Sequence, residues 1–340
     1  YLTETLNQNL IRCSKVFVNG AWIGVVNEPN DCVETIKFYR RNSLIPSYTS
    51  VSWDMNENII EIYTDSGRLI RPLFYVETDE FVGFASEAKA LVPLSKNEVK
   101  IFPIGKYWCD GIFTDYCFPY NFRNTSPLNT DTLRHLLIQS VEKRIKNCDR
   151  ELGFFLSGGL DSSLVASIAK SLLPEQKIKT FSIGMYPNAP DLRFAAYVAN
   201  KIDSEHHEVI FSKEEGIDSI RDVIYHCETY DCTTIRASVH MYLLSKYISE
   251  NTDVKVMLSG EGADELFGGY LYFHNAPSDS EFVDETERLL AEVHKFDALR
   301  ADRATAAWGL EVRVPFFDKR FNNYIRQLPG RAKMPSTTGI

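Results

Sequence analysis

The stretch that most restricts the fold is an apolar run, Leu152 to Leu156 (LGFFL). It is followed at once by Ser157-Gly158-Gly159-Leu160-Asp161-Ser162-Ser163 and then by Leu164, Val165, Ile168 and Leu172 on one helical face. A short apolar run closed by a glycine turn reads as a buried strand, and the 3.6-residue spacing after it reads as a helix that Pro174 ends. The turn between them therefore lies at a helix N-terminus, where unpaired N–H groups and the helix dipole favour a phosphate. Gly158 and Gly159 let the backbone approach an anion without a Cβ, while Ser157, Ser162 and Ser163 add hydroxyl donors. Asp161, in the first helical turn, can hold Mg2+ or order the loop. The GK[ST] ending of a Walker A loop is missing. At average residue usage, the five fixed positions of SGGxDS arise by chance in such a chain with a probability on the order of 10⁻³ or less.

The same unit recurs in coarse form on both sides. Thr130 or Asn129 can cap a helix carrying Leu133, Leu136, Leu137, Val141 and Ile145. Beyond the loop, Ile178 to Ile183 reads as a strand, Leu192 to Lys201 as a helix, Glu208 to Phe211 as a strand and Ile217 to Tyr225 as a helix. A helix around Met241 to Ile248 and a strand from Val254 to Leu258 follow. This alternation predicts an α/β fold with a parallel sheet and crossover helices. Such a sheet binds its ligand outside the carboxyl ends of its strands, where the loops after Leu156, Ile183 and Leu258 would converge. The first 125 residues read as β-rich, with turn signals at Asn19-Gly20 and Ser66-Gly67 and one helical candidate near Asp31 to Arg41.

Composition removes several classes of function. A formal net charge of -9 gives no electrostatic help toward a phosphate backbone, so nucleic acid is not an expected partner. No apolar run of 18 or more residues is present, so no membrane span is expected and the cytoplasm is the default compartment. Seven scattered cysteines without a CxxC pair fit reduced thiols. His206 and His207 have no partner at ligand spacing and read as strand-end residues. Glu261, Asp264 and Glu265 put three carboxylates within five residues. Such a cluster can bind Mg2+ bridging a pyrophosphate, accept a proton from attacking ammonia, or simply form a solvated acidic loop.

SGGLDSS resembles the loop of the N-type ATP pyrophosphatases, which cleave ATP between its α and β phosphates to adenylate an oxygen. ETYDCTTIRAS (Glu228 to Ser238), LSGEGADELFGGYLYFHNAP (Leu258 to Pro277) and FDALRADRATAAWGLEVRVPFFDKRF (Phe296 to Phe321) narrow the resemblance to glutamine-hydrolysing asparagine synthetases, from about Phe84 to Ile340. The resemblance implies ATP contacts at Leu156, Ser157, Gly158, Gly159, Asp161, Ser162, Ile183, Ser259 and Gly260. It implies catalytic roles for Glu261 and Asp264, Mg2+ at Asp161 and Asp264, and an aspartate pocket shaped by Thr233, Thr234 and Arg236. An Arg fork suits an amino-acid carboxylate. Asp297, Arg300 and Arg313 are further polar positions that serve either a ligand or a surface helix. The implied reaction joins aspartate to ammonia, drawn from glutamine in a complete enzyme. A homodimer is allowed.

The N-terminal part departs from that family. Its members open on a glutaminase domain whose nucleophile is an N-terminal Cys, whereas Tyr1 stands first here and Cys13 is internal, so glutamine hydrolysis by this chain is not expected. Gly83 to Leu91 and Phe102-Pro103-Ile104-Gly105 resemble only the closing strands of that domain, and alone they would leave exposed edges and an incomplete core. Lys15 to Val25 and Glu61 to Glu77 resemble the second-largest subunit of multisubunit RNA polymerases. Arg71-Pro72-Leu73-Phe74-Tyr75 fits both families. The expected organisation is a polymerase-like segment over 1–71, an amidotransferase remnant over 72–125 and an ATP pyrophosphatase domain over 126–340. The family also continues past Ile340 with a lysine for the pyrophosphate, so the chain reads as a fragment whose ammonia-dependent synthesis would be impaired. The rival readings are a nucleic-acid-binding polymerase fragment and an inactive nucleotide-binding remnant.

Overall fold

A computed structural model of the chain describes residues 16–18, 21–27, 49–54, 59–64, 72–78, 81–103, 106–109, 112–115, 127–146, 148–187 and 189–334. The helical candidate near Asp31 to Arg41, the turns Asn19-Gly20 and Ser66-Gly67, Arg71 and Ile104-Gly105 lie outside the described residues. The chain divides near residue 120 into two units.

The first unit contains β1 (Val16–Val18), β2 (Ala21–Asn27), β3 (Thr49–Asp54), β4 (Ile59–Thr64), β5 (Phe74–Glu77), β6 (Phe81–Ala85), β7 (Lys100–Ile101), β8 (Lys106–Cys109) and β9 (Ile112–Asp115). They pair as two antiparallel sheets, in the orders β1-β2-β6-β5-β7 and β3-β4-β8-β9. Leu73, Tyr75, Phe84 and Phe102 form one buried cluster with Trp108. The Phe84 and Trp108 rings are 5.5 Å apart edge to face, as their opposed quadrupoles prefer. The polymerase-like segment supplies β2, which pairs with β6 from Ile23 opposite Ala85 to Asn27 opposite Phe81. One sheet thus takes β2 from before and β5, β6 and β7 from after the expected boundary at 71/72, and β6 has a partner on each side.

The second unit begins with α1 (Thr130–Lys146), which Asn129 caps by accepting the Thr132 N–H at 2.9 Å. Then come β10 (Leu152–Phe155), α2 (Leu160–Leu172), β11 (Lys179–Gly184), α3 (Pro190–Lys201), β12 (Glu205–Ile210), α4 (Lys213–Cys227), α5 (Cys232–Asn251), β13 (Val256–Leu258) and α6 (Ala263–Phe267). α7 (Asp279–Glu292), α8 (Asp297–Ala306), β14 (Glu311–Arg313) and α9 (Lys319–Arg326) complete it. α4 starts four residues before the expected Ile217, because Ser212 and Glu215 close a capping box ahead of it. β12 starts at Glu205 rather than Glu208 and takes both histidines into the sheet. His206 lies within hydrogen-bond distance of the Thr180 and Ser182 hydroxyls, and His207 stacks on Phe181 at 4.8 Å.

The five strands are parallel throughout, in the order β12-β11-β10-β13-β14. Phe181, Met257, Val254, Leu310 and the α5 residues Leu244 and Ile248 pack one core on the sheet. The order reverses beside β10: the chain steps to β11 on one side and later to β13 on the other. The loops leaving β10 and β13 therefore diverge over opposite faces and open a crevice at the carboxyl edge.

α1 is tied to the far edge of this sheet by buried charge. Arg144 is 2% exposed, its Nη1 is 3.4 Å from Asp318 Oδ2, and it also donates to the Ser140 carbonyl at 3.0 Å. Burial lowers the Arg144 guanidinium to about 10, against the attraction of Asp318. Burial pushes Asp318 upward too, but Arg144, Lys143 and the Arg320 N–H outweigh it and leave its pKa below the usual value. A depressed carboxylate stabilises the fold above its unfolded pKa and loses that contribution as pH falls through the folded one. Asp318→Ala strands a buried cation and is expected to cost about 3–5 kcal/mol at pH 7 in urea denaturation. The gap from the native chain should close as pH drops through the depressed pKa.

Candidate active site

At the carboxyl edge, the loops after β10 and β13 meet around a cavity of about 540 Å³. Two glycines make that meeting possible. Gly158 has φ +80, and a Cβ there would sit 2.4 Å from the Phe194 backbone on α3. A Cβ on Gly260 would lie 2.8 Å from the Ser162 backbone nitrogen, so the two loops touch backbone to backbone. The phosphate loop is braced from within. The Ser157 N–H donates to Ser162 Oγ at 3.2 Å, the two hydroxyls are 3.0 Å apart, and the Gly159 N–H donates to Ser157 Oγ at 3.3 Å. Gly159 caps α2 without a side-chain acceptor, which leaves first-turn N–H groups available to an anion.

The cavity lining is acidic. Asp161, Asp191, Glu261, Asp264, Glu265 and Asp297 line the cavity, and Arg300 is the one Lys or Arg among its described lining residues. Arg300 Nη2 donates to Glu261 Oε2 at 2.6 Å and lies 2.9 Å from Asp297 Oδ1. The Tyr270 hydroxyl donates to Glu265 Oε1.

Burial raises Asp161, and the Asp264 charge adds to it; burial also raises Asp264, helped by Asp297 and opposed by Arg300. Glu261 is raised by burial although Arg300 pulls the other way. Burial pushes Glu265 up to about 7 despite the Tyr270 hydrogen bond, and it lifts the Tyr270 phenol far above its ordinary value. A wall of crowded carboxylates with raised pKa values accepts a divalent cation readily, since the cation relieves their repulsion. Among the described residues no three His, Cys, Asp or Glu side chains are arranged to hold a metal alone. One or two carboxylates with phosphate oxygens is the arrangement Mg2+ prefers, and Asp161 and Asp264, which line the same cavity and where the Asp264 charge acts on Asp161, are the residues that would hold it.

Of the residues expected at the site, Leu156, Ser157, Gly159, Asp161, Ser162, Ile183, Ser259, Gly260, Glu261 and Asp264 all line this cavity. Gly158 stands behind the loop against Phe194. Thr233, Thr234 and Arg236 occupy the first turns of α5, whose later residues Ala237, His240, Met241 and Leu244 reach the lining in their place. Thr234 is buried, with its N–H donated to Asp231 Oδ2 at 2.7 Å, whereas Thr233 and Arg236 are exposed. Arg313 is structural: it is buried and donates to the Arg144 carbonyl at 2.6 Å and to Glu311 at 3.1 Å. Sequence reasoning missed Asp191, His240 and Tyr270. Tyr270 reaches Glu265 because α6 is only five residues long and Gly268, at φ +68, turns the chain back. No helical period is readable over so short a stretch.

A parallel sheet whose strand order reverses at a phosphate-suited loop, with a carboxylate-rich cavity at its carboxyl edge, defines an α/β domain of the class that binds its ligand at that edge. The family model described as Asparagine synthase matches residues 132–286 and 276–339, and the chain belongs to that family. A second model, RNA polymerase Rpb2, domain 4, matches residues 16–77. The chain is similar to the asparagine synthetase [glutamine-hydrolyzing] of Gallus gallus, at 46% identity over 301 residues, covering 78% of this chain and 53% of that protein. The Rattus norvegicus protein of the same name is 45% identical over 300 residues, with the same shares covered. The chain thus spans about half the length of the curated relatives it matches. Among solved structures, the NH3-dependent NAD synthetase of Campylobacter jejuni aligns with 62% of this chain and 100% of that chain, at 17% identity and a TM-score of 0.31.

A carboxylate whose folded pKa is raised holds the fold best below its unfolded pKa, here 4.5, and costs stability as pH rises through the folded value of about 7. Glu265→Gln removes that charge. The stability lost between pH 5 and pH 8 in urea denaturation should shrink by roughly 2–3 kcal/mol in the variant. An unchanged pH dependence would show that Glu265 is not the group responsible.

Proposed function

We propose that the second unit is the amide-forming half of a glutamine-hydrolysing asparagine synthetase. A β-carboxylate oxygen of aspartate attacks the α-phosphorus of ATP, the bond to the bridging oxygen breaks, and pyrophosphate leaves. The lone pair of ammonia then attacks the acyl carbon of β-aspartyl-AMP. The amide bond forms as the C–O bond to AMP breaks, and a proton passes to a nearby base. In a whole enzyme the ammonia comes from glutamine.

The observation that carries this reading is the meeting of the Ser157–Ser163 loop with Glu261 and Asp264 around one cavity, in a chain of this family. Leu156 and Ile183 would cover the adenine, Ser259 and Gly260 would read it through the backbone, and Ser157, Gly158, Gly159 and Ser162 would hold the phosphates. Mg2+ at Asp161 and Asp264 would screen the charge of the departing pyrophosphate. Glu261 would act in adenylating aspartate, and Thr233 and Arg236, exposed in the first turns of α5 beside the buried Thr234, would shape the approach for aspartate. Residues 126–340 would form this domain, 72–125 the amidotransferase remnant and 1–71 the polymerase-like segment. No helix among the described residues is long and apolar enough to cross a membrane. A cytoplasmic enzyme and a homodimer are part of the same proposal.

The test is aspartate-dependent ATP–pyrophosphate exchange in the presence of Mg2+. Exchange should require aspartate and fall by about 100-fold or more in Glu261→Ala, as loss of a group acting in the transition state does. Exchange at the native rate in that variant would end the assignment of Glu261.

A further inference from the structure

Glu261 stands between two glycines, and Gly262 has φ +90, so its own backbone does little to fix its side chain. Among the described residues its carboxylate has one hydrogen-bond partner, Arg300 Nη2 at 2.6 Å. Asp297, one turn earlier on α8, meets the same nitrogen at 2.9 Å. The Glu261 and Arg300 side chains are only 19% and 17% exposed, so the contact is shielded from screening by water. Arg300 Nε is buried without a hydrogen bond, so the hydrogen bond to Glu261 and the ion pair with Asp297, both at Nη2, are the contacts that orient the guanidinium. Glu261 is otherwise faced by acids, Asp297 from α8 and Asp264 and Glu265 from α6, all of which repel it from a fixed ionised position.

We propose that Arg300 is a positioning residue acting through Glu261: bridged to Asp297, it holds the Glu261 carboxylate at the cavity in the orientation that adenylation requires. This deepens the adenylating reading of the site and rests on it. A Lys at the same place carries the charge, but its freely rotating ammonium on a flexible stem does not fix the contact that Nη2 makes to both carboxylates.

The experiment compares Arg300→Gln, Arg300→Lys, Glu261→Gln and the Arg300→Gln/Glu261→Gln pair in aspartate-dependent exchange by the full chain. Displacing one reacting group by about an ångström costs on the order of 100-fold. Arg300→Gln should lose about that in kcat, with the aspartate KM within about threefold of native, and Arg300→Lys should recover about tenfold of the loss. The double variant should fall within about threefold of Glu261→Gln alone, because a group acting through another adds nothing once that group is gone. A tenfold rise in aspartate KM at unchanged kcat, or losses that multiply in the double variant, would overturn the proposal in favour of direct substrate contact. If the native chain shows no exchange, the adenylating reading fails separately. The Arg300–Glu261 link is then decided by carboxyl 13C NMR of Glu261, identified by its absence from Glu261→Gln. Its titration moves up by a pH unit or more in Arg300→Gln if the link holds, and stays in place if it does not.

Discussion

The second unit depends on the reversal of strand order beside β10. Because β11 and β13 flank β10 on opposite sides, the two loops at its carboxyl edge leave in different directions and then meet across a backbone contact between Gly260 and Ser162. Parallel pairing fixes where each strand ends: Phe154 is opposite Leu258 on one side and Thr180 on the other. The strand ends that carry Leu156, Ile183 and Ser259 therefore lie along one edge. The apolar strands and α5 act as a ruler for these polar loops, and the rigidity of that packed core is what a site needs to hold reacting groups in register.

Charge within the cavity is unbalanced. Six carboxylates line it against one guanidinium, and burial works against the ionised forms of Asp161, Glu261, Asp264 and Glu265. A site of this kind is a poor host for an amino-acid carboxylate or a polyphosphate alone, and a better one for phosphate brought with its counter-ion. The ion pair on Arg300 divides the wall. Glu261 and Asp297 are held in place by a cation, whereas Asp161, on the phosphate loop, and Asp264 have no ion-pair partner among the described residues.

Much of this was legible in the residues. The LGFFL run, the SGGLDSS turn and the spacing after it are local signals, and they located the strand, the loop and the helix to within a residue or two. The alternation of elements gave the parallel sheet because crossover helices leave a period that survives in the sequence. What stayed hidden was set by long-range contact. The start of β12 comes from pairing with β11 rather than from its own polar sequence, Glu-His-His-Glu. The meeting of Tyr270 with Glu265 depends on a left-handed glycine, and Arg300 reaches Glu261 across 39 residues. The motif containing Thr233, Thr234 and Arg236 was readable as a motif, but which face of α5 meets the cavity is decided by how that helix packs on β11, and the lining falls to Ala237, His240, Met241 and Leu244.

The pairing of β2 with β6 bears on the origin of the chain. Backbone ladders ask only for extended geometry and matching alternation, so two segments of unrelated ancestry can share a sheet when their inward residues fill one core. β6 is the strand that resembles a synthetase, and it now takes five residue pairs from a strand that resembles a polymerase. Removing β2 would bare the row of N–H and C=O groups that it satisfies on β6. A strand held this way is no passenger, whatever family it resembles, and losing it would ask the remaining strands to find another partner, including a neighbouring molecule.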